Sequence, residues 1–450
     1  MSTDYWPSHS EARLNELREQ LEYERTHDTL TGLENRIQLL ERLTITLEHS
    51  WRQAVLLISI DNFRTVNDTL GHAAGDRILV EIARRLEEVA GPGGGVARLA
   101  GDEFAMFVDA SSEKNLLRLA QRLLQSLRQP LPAEDHALRL AASVGICLPQ
   151  DGATAGTYLR DADTAMHVAK SHGAGQIRIF NPRMRAEIVD RFEIATSLGD
   201  ALGTGTGLLL HFQPVVDLET GALVGAEALV RWDHPQRGMI PPDRFIRIAE
   251  ETGLIVDLGR WVLEAAVRQL ADWMPLIGDR EFRVHVNLSP VEIRQSGLVE
   301  DVSNILTTYG ADPAKMLVEI TETELMTNYE TSLEALRGLR DAGLGIGIDD
   351  FGTGYSSISY LGQLPVDTVK LDRSLISGIA SSPFEYGLAR AILELMHSAG
   401  LRVIAEGIEN QAQVAHLRAL DCRYGQGFHL ARPAPAEATT AGLERDAARF

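Results

Sequence analysis

The second half of the chain repeats one pattern eight times: a short apolar stretch ends on a polar residue, and a helical stretch usually follows. The polar residues at these ends are Gln213, Glu227, Asn287, Glu319, Asp349, Lys370, Glu406 and Gln426. The helical stretches that separate most of them lie near 242–251, 259–275, 330–342 and 384–399. Eight strands that alternate with helices predict a (β/α)8 barrel, whose strand ends form one rim and build the site there.

The link between the first two of these strands is too short for the standard barrel. Only the segment from Leu218 to Gly221 separates them. A parallel pair needs a crossover of a dozen or more residues, whereas an antiparallel pair can be joined by a tight turn. We therefore predict a variant of the barrel in which the first strand is antiparallel.

The predicted rim is rich in oxygen ligands. It collects five carboxylates, one amide and one lysine: Glu227, Glu319, Asp349, Asp350 and Glu406, with Asn287 and Lys370. This donor set suits Mg²⁺ or Mn²⁺, and no His or Cys pair joins it to favour zinc. Crowded carboxylates without cations would destabilise the fold, whereas two divalent ions that share Asp349 would relieve the repulsion and arrange in-line attack on a phosphodiester. The alternative is that these residues only hydrogen-bond the loops of the barrel.

Asp349 and Asp350 are adjacent carboxylates at the end of an apolar strand. Consecutive side chains of a strand point to opposite faces. Both can therefore reach one site only if the chain twists at this point. We expect the glycines Gly352 and Gly354 to supply the twist.

Seven segments of this half resemble the motifs of the EAL family. They are Glu227-Ala228-Leu229, Val286-Asn287-Leu288-Ser289-Pro290, Glu319-Ile320-Thr321-Glu322, Asp349 to Ser357, Lys370-Leu371-Asp372, Ala405-Glu406-Gly407-Ile408-Glu409 and Gly425-Gln426-Gly427-Phe428. The resemblance covers about residues 195–437. It implies a cyclic di-GMP phosphodiesterase that opens the cyclic dinucleotide to linear pGpG with two Mg²⁺ or Mn²⁺ ions. It also implies a homodimer, since such barrels commonly pair near the loop from Asp349 to Ser357.

The resemblance further implies a role for each matching residue. The metal ligands are Glu227, Asn287, Glu319 and Asp349 for one ion, with Asp350 for the second. The catalytic residues are Lys370, near the attacking water, Glu406, as metal ligand or general base, and Glu227. Substrate-binding or supporting positions are Gln213, Arg231, Glu409 and Gln426, and Glu322 anchors the loop that begins at Asp349. Phe428 stands where the family usually has tyrosine.

The first half alternates strands and helices in a different order. The predicted strands are 54–60, 96–99, 104–108, 138–148 and 176–180, and the predicted helices are 64–89, 113–128 and 157–171. This order predicts an α/β domain with an antiparallel-containing sheet, helices on one face and a hairpin at Ala100 to Glu103.

The expected domains are an N-terminal helix over 1–23, this domain over 24–182, a helical linker over 183–200 and the barrel over 201–440. Leu14, Leu17 and Leu21 make the N-terminal helix amphipathic, which fits either a dimer stalk or a helix packed on its own domain.

Residues 24–182 resemble the GGDEF family of diguanylate cyclases, which condense two GTP into cyclic di-GMP. The signature is Ala100 to Phe104, preceded by Ile60 to Asp68 and by Gly71 to Asp76. The resemblance implies a GTP site formed by Arg64, Asn67, Asp76, Asp102 and Lys170.

The same resemblance shows what this half lacks. Ser59 stands where the family has a metal-binding aspartate, and Ala174 stands where an arginine is usual. A neutral hydroxyl opposite a triphosphate should weaken a metal site severely. We therefore expect this domain to bind GTP weakly or to dimerise, and to regulate the phosphodiesterase without making cyclic di-GMP; the alternative is a purely structural domain. For the whole chain the alternatives are a bifunctional cyclase and phosphodiesterase, or a non-catalytic cyclic di-GMP receptor.

Composition excludes other classes. The net charge of −20 argues against a partner that is a nucleic acid polymer. The two cysteines, Cys147 and Cys422, make no disulfide framework or metal pattern. No apolar run is long enough to span a membrane, and the first ten residues do not resemble a signal peptide. We expect a cytoplasmic protein.

Overall fold

The computed structural model describes residues 20–48, 53–110, 112–133, 136–150, 152–322, 329–352 and 364–448, together with positions 13, 18 and 325. The chain divides into two compact units, Met1–Asp190 and Arg191–Phe450. Residues 20–26, the end of the predicted N-terminal helix, are helical. Most of its start lies outside the described residues, so the dimer stalk stays a prediction.

Besides the helical residues 20–26, five helices and seven strands lie wholly within the first unit among the described residues. In chain order they are α1 (Arg36–Glu48), β1 (Gln53–Ile60), α2 (Phe63–Leu70), α3 (His72–Ala90), β2 (Gly95–Ala100), β3 (Glu103–Asp109), α4 (Glu113–Leu127), β4 (Leu131–Ala133), β5 (His136–Leu138), β6 (Ala142–Cys147), α5 (Ala155–Ser171) and β7 (Ile177–Ile179). The predicted strand over 138–148 is two strands, because the chain leaves the extended ladder between β5 and β6. The predicted hairpin is confirmed, since β2 pairs antiparallel with β3.

The central sheet of this unit is covered by helices on both faces. Its strand order is β2-β3-β1-β6-β7. Val55 and Leu57 pack with α1 and α5 on one face, whereas Leu56 and Ile58 pack with α3 and α4 on the other. The prediction of helices on one face was wrong. Strand β1 is apolar at nearly every position, so both of its faces need to be buried.

Helix α6 (Pro182–Thr204) precedes the barrel. The elements that follow are β8 (Leu208–Asp217), β9 (Leu223–His234), β10 (Gly238–Ile240), α7 (Pro242–Thr252), α8 (Ile255–Ile277), β11 (Arg283–Asn287), α9 (Pro290–Ile293), α10 (Leu298–Tyr309), β12 (Met316–Thr321), α11 (Tyr329–Asp341), β13 (Gly345–Phe351), β14 (Thr368–Leu371), α12 (Arg373–Ile376), α13 (Pro383–Ser398), β15 (Arg402–Ala405), α14 (Gln411–Ala419), β16 (Tyr424–Gly425) and α15 (Ala436–Ala447). A 3-10 turn over Pro313–Lys315 leads into β12.

The second unit is a closed eight-stranded barrel. Strands β9, β11, β12, β13, β14, β15 and β16 pair in parallel in that order, and β8 closes the barrel by pairing antiparallel with both β16 and β9. The variant barrel with an antiparallel first strand is therefore confirmed. The short strand β10 extends β9 as a hairpin outside the barrel.

Alternation along the strands separates the core from the polar interior of the barrel. In β11, Val284 and Val286 lie in the apolar core beneath the helices. The alternating positions His285 and Asn287 instead contact carboxylates on neighbouring strands. The two-residue period of a strand thus directs polar side chains inward while the barrel keeps a continuous apolar layer outside. Among the described residues, no helix has the length and apolar character that crossing a bilayer requires.

Candidate active site

A buried lysine lies at the centre of the carboxylates inside the barrel. Lys370 on β14 is 1% exposed. Its Nζ lies 3.1 Å from Glu227 Oε2, 2.9 Å from Glu319 Oε2, 3.2 Å from Asp349 Oδ1 and 2.8 Å from Glu406 Oε1. These four carboxylates come from four different strands or strand ends, so the barrel itself assembles the cluster.

The carboxylates form two groups that share one member. In each group the nearest oxygens lie within 4.8 Å of one another: Glu227, Glu319 and Asp349 in the first, and Asp349, Asp350 and Glu406 in the second. The five side chains predicted as carboxylate ligands are therefore brought together. Asp349, the residue common to both groups, can contribute oxygens in two directions.

A β-bulge places Asp349 and Asp350 on the same side. The register of β13 against β14 advances from Ile348 to Phe351 while the partner advances only from Val369 to Leu371. The extra residue is accommodated by Asp350, which has a left-handed backbone with φ 52°. The left-handed residue within the bulge is therefore Asp350, and Gly352, which follows the bulge, also has a positive φ of 104°. Gly354 lies outside the described residues.

Two amides hold Glu227 in place. Asn287 Nδ2 donates to Glu227 Oε1 at 2.7 Å, and Gln426 Nε2 donates to Glu227 Oε2 at 2.8 Å. The remaining oxygen of Gln426, Oε1, is buried without a hydrogen-bond partner among the described residues. Gln213 lies opposite Glu227 across the β8–β9 pair. Gln213 and Glu227 do not end their strands as predicted, because β8 and β9 form one long hairpin that continues past the rim.

Burial and charge crowding determine which of these groups are ionised. Burial raises the pKa of Glu319 well above its usual range, and it raises that of Glu406 to about 8. Lys370 has a pKa well above its usual value because the carboxylates outweigh the effect of its burial. The pKa of Asp350 is also raised, first by burial and then by Asp349. One ammonium is therefore too little positive charge for the cluster.

This arrangement can accept divalent cations. The donors are five carboxylates, with an amide oxygen of Asn287 beside them, which is the set that Mg²⁺ and Mn²⁺ prefer. The pKa values of Glu319 and Glu406 are raised, which indicates too little positive charge beside these two carboxyls, and Gln426 Oε1 is a further buried oxygen on an amide that contacts Glu227. The residues present therefore fit a metal site.

His285 belongs to this cluster and was missed by sequence reasoning. It is 3% exposed, and its Nδ1 lies 2.8 Å from Glu319 Oε1. Burial lowers its pKa to about 3, with Lys370 as the next cause, so the imidazole is neutral. The signal was present in the sequence: His285 lies two positions before Asn287, and residues two apart in a strand share a face.

The remaining predicted residues of the barrel differ in their burial and in the groups that they contact. Gln213 is buried and donates to the Ala431 carbonyl, and the Glu322 carboxylate accepts from the Gly352 amide at 3.1 Å. Arg231 is half-buried and donates to the Val230 carbonyl. Glu409 is exposed and pairs with Arg373 at 2.7 Å, away from the lysine.

Two further features singled out in the sequence are Phe428 and the loop that begins at Asp349. Arg432 lies over the ring of the exposed Phe428, 4.4 Å from its centroid. Residues 353–357 of the loop predicted to be anchored by Glu322 lie outside the described residues.

In the first unit, Ser59 faces Asp102. Ser59 is fully buried, and its hydroxyl donates to Asp102 Oδ2 at 3.1 Å. The neighbouring carboxylate of Asp61 is held by the Ser143 hydroxyl at 2.9 Å and by the Gly175 amide at 2.8 Å. Asp102 thus contacts a hydroxyl where a second carboxylate would give a metal site.

The other predicted GTP-binding residues lie on the helices α2, α3 and α5. Arg64 is exposed and lies 3.6 Å from Asp68, one helical turn along α2. The Asn67 side chain contacts Gly75 so closely that a Cβ there would lie 2.0 Å from Asn67 Oδ1. Asp76 is exposed on α3, and Lys170 is half-buried in the last turn of α5.

The fold and the cluster together define a class: a (β/α)8 barrel with an antiparallel first strand and a carboxylate-rich interior around one lysine. Comparison with family models matches residues 196–433 to the EAL domain and residues 25–176 to the diguanylate cyclase, GGDEF domain. The chain belongs to the family of tandem GGDEF–EAL proteins.

Curated and solved relatives agree with this assignment. The chain is 39% identical over 422 residues to the bifunctional diguanylate cyclase/cyclic di-GMP phosphodiesterase MucR of Pseudomonas aeruginosa, covering 93% of this chain and 61% of MucR. It is 36% identical over 436 residues to the cyclic di-GMP phosphodiesterase NbdA of the same organism, covering 94% of this chain and 55% of NbdA. The chain therefore spans little more than half the length of these relatives. The solved PaMucR phosphodiesterase in a c-di-GMP complex aligns with 55% of this chain and 99% of its own, at 41% identity and a TM-score of 0.52.

Proposed function

We propose that the barrel is a metal-dependent phosphodiesterase that hydrolyses cyclic di-GMP to linear pGpG. The observation that carries this proposal is the pair of three-carboxylate groups that share Asp349 around Lys370. The similarity to a phosphodiesterase crystallised with c-di-GMP supports the choice of substrate.

Two Mg²⁺ or Mn²⁺ ions would be held by the shared cluster. The ligands for one ion are Glu227, Asn287, Glu319 and Asp349, and Asp350 and Glu406 join Asp349 for the other. When bound, such a pair supplies Lewis acidity and a hydroxide nucleophile for in-line displacement at phosphorus.

The residues of the chain prepare the cluster for this chemistry. Asn287 and Gln426 orient Glu227, and Lys370 fixes the spacing of four carboxylates before any ligand arrives. During hydrolysis Lys370 stabilises the charge that develops on the phosphorane. Glu406 has a pKa near 8, so it can exchange a proton near neutral pH and act as general base or as ligand.

Substrate recognition falls to the residues that surround the cluster. Gln213, Arg231, Glu409 and Gln426 contribute to the binding of the dinucleotide. Arg231 supplies positive charge for a phosphodiester next to an otherwise acidic site. Glu322 holds the start of the loop after Asp350 through the Gly352 amide, which keeps the bulge in place.

The first domain regulates the barrel and does not synthesise cyclic di-GMP. Its expected limits are residues 24–182, followed by a helical linker over 183–200 and the barrel over 201–440. The hydrogen bond from Ser59 to Asp102 supports the loss of a metal site, whereas Asn67 and Asp76 remain available for guanine and Arg64 and Lys170 for phosphate. We propose that the domain binds GTP and that the chain works as a homodimer.

Bifunctionality is the second candidate, because MucR carries both activities in its name. The Ser59 hydroxyl argues against it. The third candidate, a non-catalytic receptor, requires a rim without metal ligands, and this rim retains five carboxylates.

One assay separates the three. Purified protein is incubated with cyclic di-GMP and Mg²⁺ or Mn²⁺, with and without GTP, and the products are resolved by chromatography. Formation of pGpG with GTP intact supports the proposal, and a rate changed by GTP supports the regulatory role. Conversion of GTP to cyclic di-GMP would establish bifunctionality. Tight binding of the intact dinucleotide without pGpG would make the protein a receptor.

A further inference from the structure

His285 makes a contact that the ligand set alone does not explain. Its imidazole Nδ1 lies 2.8 Å from Glu319 Oε1, while Lys370 Nζ contacts the other oxygen, Oε2, at 2.9 Å. Glu319 is fully buried, and His285 is 3% exposed. Both oxygens of this carboxylate are therefore held by the protein, one by a neutral ring and one by an ammonium.

The backbone makes room for this ring. His285 pairs with Glu227 in the β11–β9 register, and Gly225 lies two positions earlier on β9. A Cβ at Gly225 would lie 3.0 Å from His285 Nε2 and 2.8 Å from the Arg283 carbonyl oxygen. A side chain at position 225 would thus displace the ring. The ring is buried whereas Asn287 is exposed, and it contacts the Glu319 oxygen that the lysine does not contact.

We propose that His285 is a positioning residue for Glu319: its Nδ1–H donates to Oε1 and fixes the carboxylate in the orientation that presents it to a divalent cation. This inference rests on the metal-dependent function proposed above. An ionised carboxylate only accepts hydrogen bonds, so the ring must be the donor whenever Glu319 serves as a ligand. A carboxylate that ligates a metal is commonly oriented by such a hydrogen bond.

Loss of the donor has a specific consequence. The terminal torsion of a glutamate is broad, so one remaining contact to Lys370 does not fix the plane of the carboxylate. Oε1 would also be left buried without its hydrogen bond. We expect Mn²⁺ affinity to fall by roughly 10- to 100-fold, the usual cost of losing a residue that orients a ligand.

Three substitutions at one position test this. His285→Leu removes the donor and keeps the volume. His285→Asn places an amide nitrogen on Cγ, where Nδ1 was, whereas His285→Gln places it one bond farther, near the former Nε2. His234, a second buried histidine whose Nδ1 accepts from the Gln236 amide, gives the control His234→Leu, which removes a ring that touches no rim carboxylate.

The readouts are Mn²⁺ binding by titration calorimetry in the full chain, thermal unfolding in EDTA, and hydrolysis of cyclic di-GMP as a function of Mn²⁺ concentration. We expect His285→Leu and His285→Gln to bind Mn²⁺ weakly and to recover turnover when Mn²⁺ is raised. His285→Asn should bind within a few-fold of the wild type, and His234→Leu should bind normally even if it melts lower. If His285→Leu does not fold, the comparison of Mn²⁺ affinity between His285→Asn and His285→Gln tests the inference instead.

Two results would overturn the inference. Unchanged Mn²⁺ affinity in a folded His285→Leu would show a purely structural ring, as would equal affinities of the Asn and Gln variants. A wild type that neither binds Mn²⁺ nor forms pGpG would instead refute the proposed function, so the two failures are distinguishable.

Discussion

The two domains present the same kind of feature, acidic residues at strand ends, with opposite outcomes. In the barrel, four carboxylates contact Lys370 and a fifth, Asp350, lies beside Asp349 and Glu406, and burial raises the pKa values of Glu319 and Glu406. In the first domain, Asp102 faces the buried hydroxyl of Ser59 and is satisfied by it at 3.1 Å. The barrel cluster has an excess of negative charge that a cation would relieve, whereas in the first domain a hydroxyl, and not a second carboxylate, lies beside Asp102.

The comparison shows how little sequence separates a metal site from a hydrogen bond. A carboxylate opposite Asp102 would create repulsion that a cation relieves, whereas a serine donates a hydrogen bond and adds no charge. The following predictions test whether the two sites differ as strongly as their geometry indicates.

The largest effect is expected from loss of a ligand in the barrel. Glu227→Ala should lower metal-dependent turnover of cyclic di-GMP on the order of a thousandfold, since a metal contributes several kcal/mol to the transition state and each 1.36 kcal/mol is tenfold. Asp102→Ala in the first domain should leave turnover without GTP unchanged. Chromatographic assay of pGpG checks both. Equal losses in the two variants would mean that the sites are not functionally distinct.

Lys370→Met should destabilise the barrel by about 3 kcal/mol in EDTA, because it leaves buried carboxylates without their counter-charge. Lys170→Met in the first domain should change the free energy of unfolding by no more than about 0.5 kcal/mol. Urea unfolding followed by tryptophan fluorescence measures this, since Trp232, Trp261 and Trp273 lie in the barrel. Mn²⁺ should reduce the difference in free energy of unfolding between Lys370→Met and the wild type, because the cation replaces the missing positive charge. A variant as stable as the wild type in EDTA would show that the carboxylates are already protonated.

The metal-free barrel should lose stability as pH rises from 6.5 to 8.5. Glu406 has a pKa of about 8 in the folded state against 4.5 for an unperturbed glutamate, so the folded protein binds more protons in this window and its free energy of unfolding falls with rising pH. The expected loss is on the order of 2 kcal/mol. His285, with a folded pKa of about 3 against 6.5, acts in the opposite sense only below pH 6.5.

Urea unfolding in EDTA across these pH values tests the trend, and Glu406→Gln is the matched variant. Glu406→Gln should weaken the pH dependence of the free energy of unfolding, and Mn²⁺ should weaken the same dependence in the wild type. A slope that is unchanged in Glu406→Gln would assign the titration to another group.

Ser59→Asp should have the smallest effect. It should destabilise the metal-free first domain by about 1 kcal/mol, since it replaces a hydrogen bond with two facing carboxylates. Mn²⁺ should restore the loss in this variant but not in Ser59→Ala, which removes the hydrogen bond without adding charge. Thermal unfolding with and without Mn²⁺ distinguishes them. If Mn²⁺ stabilises the first domain of the wild type as much as it stabilises that of Ser59→Asp, the two sites do not differ in their response to metal.

Much of the barrel followed from the sequence, because eight apolar stretches with polar ends fix both the strands and the rim. The short link after Asp217 was sufficient to predict the antiparallel first strand. The details that depend on local geometry did not follow. The bulge at Asp350 needs a left-handed backbone at a residue other than glycine, which no pattern indicates.

Other differences have equally physical reasons. Predicting helices on one face of the first sheet failed because β1 is apolar on both faces. His285 was overlooked because a histidine inside an apolar strand does not resemble a ligand, and only its alignment with Asn287 and Glu319 gives it meaning. The hydrogen bond between Ser59 and Asp102 joins residues 43 positions apart and required the β1–β3 register.

The closing strand of the barrel has a consequence for how the protein is made. Tyr424 and Gly425 are the whole of β16, and they pair with β8, more than two hundred residues earlier in the chain. Until those two residues have been synthesised, β8 and β15 both keep an open edge, which is the kind of surface that aggregates. Contacts so distant in sequence also slow folding. The barrel is therefore a late-closing structure, whose strand edges stay open to unwanted pairing until the end of the chain is available.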